Sequence, residues 1–60
     1  MVKSVTLHDN EPTSNLVAEL SLTGEHEIEI FNHFDNDDGA GFAVKLNIPE
    51  LLKAIEYLRK

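Results

Sequence analysis

Several groups of residues in this 60-residue chain have types and spacings that chemistry uses. The most suggestive is Asp35-Asn36-Asp37-Asp38-Gly39. A calcium loop of the EF-hand kind needs aspartates at alternate positions before its glycine and a glutamate six residues after it. With Gly39 on that glycine, Phe34 falls where the first aspartate belongs and Lys45 where the glutamate belongs. The segment therefore reads as an acidic hairpin loop in which Asp38-Gly39 supply the turn chemistry, and no metal site is expected. His8, His26 and His33 each begin or end an extended segment. Zinc needs three or four converging ligands, and nothing in their spacing demands convergence. His33 is within reach of Asp35, but a carboxylate–imidazole pair means catalysis only beside a nucleophile or a substrate pocket. Ser14 and Ser21 stand in no nucleophile motif. Gly39-Ala40-Gly41 leads into a strand, whereas a phosphate loop leads into the N-terminus of a helix. No catalytic residue and no cofactor is expected, and the chain is read as a non-enzyme.

Charge narrows the choice of partner. Eleven acidic residues stand against five basic ones, a formal net charge of −6. Binding to a nucleic-acid backbone is driven by Lys and Arg displacing counterions, so direct nucleic-acid binding is not expected. An anionic membrane is disfavoured for the same reason. An acidic domain can instead dock onto basic patches of other proteins. Apolar runs of three or four residues fall far short of the ~20 needed to span a bilayer. Residues 1–6 lack the apolar stretch of a secretion signal. A cytoplasmic location is expected, and the absence of cysteine fits a reducing compartment. In size and composition, the chain resembles the small acidic accessory proteins of phages and mobile elements.

The elements that must position these residues follow from periodicity. The length allows one domain, residues 1–60, and one this small buries only about 60% of its unfolded surface. Without disulfides or metal, a partner chain is the usual supplement to a thin core. Alternation of apolar and polar residues predicts strands over about 2–8, 16–22, 26–33 and 42–48. Pro12 with Asp9, Asn10, Asn15 and Ser14 marks the first loop, and Thr23-Gly24-Glu25 the second turn. The period then changes. Pro49 suits the start of a helix, and Leu51, Leu52, Ile55 and Leu58 form a stripe at helical spacing over about 49–59. The expected fold is α+β, a four-stranded antiparallel meander with the C-terminal helix packed on one face.

Pairing constraints assign the outer face. Ile30 opposite Val44 sets Glu29 against Lys45 and Phe31 against Ala43. In the second hairpin, a three-residue loop would stack Glu19 against Glu29, which is repulsive. A five-residue loop pairs Leu22 with Ile28 and Ser21 with Glu29, and is preferred. The outer face then carries Val17, Glu19, Glu27, Glu29, Phe31 and Lys45. The expected function is a small protein-interaction or regulatory module, with Glu19, Glu27, Glu29, Phe31, Asp35, Asp37 and Asp38 as partner-contacting residues. Phe31 is the anchor and the carboxylates are its rim. Two other readings stay open. One is a nucleic-acid mimic that blocks a DNA-binding protein. The other is a structural homo-oligomer, for which homodimer formation through edge strands and the Ala54–Tyr57 helix flank is the simplest form.

Overall fold

The computed structural model describes residues 3–36 and 40–60. The expectations placed on Val2, Asp37, Asp38 and Gly39 lie outside the described residues. Strands β1 (Ser4–His8), β2 (Leu16–Gly24), β3 (Glu27–Phe34) and β4 (Gly41–Asn47) form one antiparallel sheet in the order β1-β2-β3-β4. Helix α1 (Ile48–Leu58) follows. The α+β meander is the expected fold, with strand ends within two residues of the periodicity wherever they are described.

Local chemistry explains the joints. Between β1 and β2, Asp9 Oδ1 accepts from Glu11 N–H at 3.1 Å and Ser14 Oγ accepts from Leu16 N–H at 3.1 Å. The Glu11 amide, helped by the Ser14 side chain, holds the Asp9 carboxyl below its ordinary value. The β2–β3 register is the preferred one, with Leu22 opposite Ile28 and Ser21 opposite Glu29. It is reached by a shorter route than a five-residue loop. The turn is Glu25-His26, Gly24 pairs with Glu27, and a bulge between Leu22 and Gly24 absorbs the extra residue. Thr23 Oγ1 donates to Glu27 Oε1 at 2.7 Å across it. In β3–β4, Ile30 faces Val44, Glu29 faces Lys45 and Phe31 faces Ala43, as expected.

The helix begins one residue before the predicted start because Asn47 caps it. Asn47 Oδ1 accepts from Glu50 N–H at 3.0 Å, and Pro49 sits in the first turn, where a missing N–H costs nothing. Arg59 is the C-cap and not part of the last turn.

The expected packing of α1 over a face of the sheet requires correction. Its substantial contacts are with β4 alone, and none of its residues is buried among the described residues. Leu52 is 56% exposed, Ile55 42% and Leu58 81%. The cause is the connection. β4 ends at Asn47 and α1 starts at Ile48, so no residue is left over to turn the chain back. Strand–helix joints that fold a helix onto its own sheet use roughly 2–6 residues. Here Ile48 N–H also donates to His26 O at 2.8 Å, tying the start of the helix to the β2–β3 turn.

The result is a flat and open molecule. Its extents are 33 × 32 × 17 Å and its radius of gyration is 13.0 Å, against about 10 Å for a compact chain of this length. Val17, at 2% exposure, is the one buried apolar residue among those described.

Candidate functional site

Register divides the strands into two faces. One, termed the apolar face, carries Val5 and Leu7 from β1, and Leu16, Ala18, Leu20 and Leu22 from β2. β3 adds Ile28, Ile30 and Phe34, and β4 adds Phe42, Val44 and Leu46. The other, termed the polar face, carries Thr6, Val17, Glu19, Ser21, Glu27, Glu29, Phe31, His33, Gly41 and Lys45.

Burial runs opposite to expectation. Val5, Leu7, Leu16, Leu22, Phe34, Phe42 and Val44 are the exposed large apolar residues of the sheet, and all seven lie on the apolar face. These side chains were expected to form the core under the helix. The buried Val17 belongs to the polar face, between His8 and His33 on the neighbouring strands.

The polar face is ordered around Phe31. Its ring and that of His33 stack with centroids 5.0 Å apart and planes at 23°. The edge of the Phe31 ring also lies against Gly41, the residue opposite His33 on β4, where an added Cβ would come within 2.6 Å of Phe31 Cζ. Phe31 spans two strands only because position 41 has no side chain. His33 Nε2 is 3.6 Å from Glu19 Oε2, and its Nδ1 lies 3.1 Å from Phe34 O. No hydrogen-bond partner reaches the buried Nε2.

The expected partner-contacting residues fall into three groups. Glu19, Glu27, Glu29 and Phe31 share the polar face, as the register predicts. Asp35 lies past the end of β3, where its N–H donates to Asn15 O at 2.7 Å, so its backbone closes the sheet end. Asp37 and Asp38 lie outside the described residues. The carboxylate that the His33 ring approaches is that of Glu19, at 3.6 Å, and not that of Asp35. The sequence held the signal for this. Once Leu22 faces Ile28, Glu19 faces Phe31 and Val17 faces His33, which makes Glu19 and His33 diagonal neighbours within side-chain reach. His33 is thus a member of the face that the list of acidic residues missed.

Among the described residues, no group of three or more His, Asp or Glu comes together as a metal would require. No helix of the described residues is long and apolar enough to cross a membrane. The chain matches no family model, no curated protein and no solved structure. Its functional reading therefore rests on these two faces.

Proposed function

We propose that this chain is a small non-enzymatic interaction module whose polar face docks onto a basic surface of another protein. The observation that carries the reading is the fixing of Phe31. Stacked on His33, with its ring edge against the bare backbone of Gly41, and set among Glu19, Glu27 and Glu29, it is an aromatic anchor positioned before binding. Preorganised aromatic side chains lose little entropy on association and dominate interface energies. The carboxylates around it select a partner by charge and speed the encounter. A nucleic-acid mimic finds less support, because Lys45 stands beside Glu29 and Phe31 lies opposite Glu19, so the described residues of this face form no continuous row of carboxylates.

Affinity capture with the purified chain tests the reading. A partner that binds the native chain, weakens with added salt, and is lost on Phe31→Ala and on Glu29→Lys supports it. Glu29→Lys sets two lysines opposite each other, so circular dichroism must first establish that the variant keeps its strands. Binding that survives both substitutions removes the polar face as the docking surface.

A further inference from the structure

The open apolar face and the open helix stripe form a second, separate problem. We infer that each chain lays the apolar stripe of α1 on the apolar sheet face of a second copy, forming a two-fold dimer in which both surfaces are covered. Two observations point to a second copy as the occupant.

The first is area. A folded monomer of 6.7 kDa exposes about 3,900 Å². This chain exposes 5328 Å², an excess of about 1,400 Å² over that expectation. Burying that excess on each of two copies gives about 2,800 Å² in total, within the range of permanent homodimers.

The second is complementarity of shape. The chain has an amphipathic helix without a sheet and a one-sided sheet without a helix, the two halves of one packed layer pair. The absent connection between β4 and α1 keeps them apart within one chain. A reciprocal exchange uses each half once and closes with two-fold symmetry, so that no apolar surface is left to recruit a third copy.

The inference uses the face opposite to the proposed docking surface, so each stands or falls separately. Sedimentation equilibrium of the native chain at micromolar concentration should give twice the 6.7 kDa chain mass. The melting midpoint should rise with protein concentration, since dissociation accompanies unfolding. Ile55→Glu should weaken the dimer by roughly thirtyfold or more, the effect of losing a central interface anchor.

A substitution that prevents folding would blur that result, so cross-linking provides a second route. The chain has no cysteine of its own. Leu58→Cys can therefore carry a single photoreactive label. In a mixture of light and heavy isotope-labelled copies, adducts should join the helix of one copy to β1–β4 peptides of the other. A monomer with a concentration-independent melting midpoint overturns the inference. So does a dimer that Ile55→Glu leaves intact, or one whose label reaches only the helix of the other copy.

Discussion

The two faces of the sheet are made from alternate residues of the same four strands, and they differ in a way that inverts the usual rule. The polar face buries Val17, half-buries Phe31 and locks a His33–Phe31 stack against Gly41. The apolar face leaves seven large hydrophobic side chains open. Monomeric proteins rarely expose a contiguous apolar patch of more than a few hundred square ångströms. The polar face is ordered by contacts among its own side chains, while the apolar face is open. Alternation in a sequence says which side of a sheet a residue occupies. Whether that side is covered depends on the connection to the covering element, and here the connection has no length.

The most direct way to break this comparison is to truncate neighbouring residues on opposite faces. Leu7 is on the apolar face and 53% exposed in one chain, and Thr6 beside it is on the polar face. If the apolar face met water, both Leu7→Ala and Thr6→Ala would stay within about 0.5 kcal/mol of the native stability. Under a second copy, Leu7 is a core residue, and Leu7→Ala should cost roughly 2–5 kcal/mol. Chemical denaturation of both variants at one protein concentration reads the difference. Equal small effects would mean that the apolar face is not covered in solution.

The polar face can be tested at its centre. An alanine at Gly41 places its Cβ 2.6 Å from Asn32 O and 2.6 Å from Phe31 Cζ. The ring can swing away but the backbone carbonyl cannot, so the strand must shift. Overpacking of this kind costs roughly 1–3 kcal/mol. Gly41→Ala should also displace Phe31 from His33, visible as a change in the ring-current shifts of the His33 protons. A variant that keeps both stability and stacking would show that Phe31 is not held from this side.

The fold was legible in the sequence for reasons that identify its limits. Alternation in Leu16–Leu22 and Phe42–Ile48 is a backbone periodicity and does not depend on what lies above the strand. Repulsion between Glu19 and Glu29 was enough to choose the β2–β3 register, although the bulge that delivers it could not be foreseen from residue types. Ile48 reads as the last strand residue and not as the first of the helix, because the Asn47 side-chain cap is a local act that leaves the alternation unbroken. The expected bounds already left no residue between strand and helix, but periodicity alone does not say that so direct a joint keeps the helix off the sheet. The polar-face residues were legible because register alone places them. His33 was not, because its partner is a diagonal neighbour and not a residue nearby in sequence.

The smallest expected effect separates the two ends of the polar face. Gly24 and Gly41 both lie at strand ends, and neither has a positive φ. Backbone conformation therefore demands glycine at neither place, and only space distinguishes them. A Cβ at Gly24 would meet Glu27 Cβ at 3.6 Å, an ordinary contact, with nothing closer. Gly24→Ala should stabilise the chain by about 0.4–1 kcal/mol, because it narrows the unfolded ensemble without straining the native one. For a domain of this size, each kcal/mol corresponds to about 4–8 °C in melting midpoint, so thermal melts at fixed concentration resolve it. Gly24→Ala and Gly41→Ala should thus move stability in opposite directions on one face. A Gly24→Ala variant that also destabilises would mean that the bulge at Thr23 requires freedom at position 24, and that the Glu25-His26 end of the sheet is held as tightly as the Phe31 end.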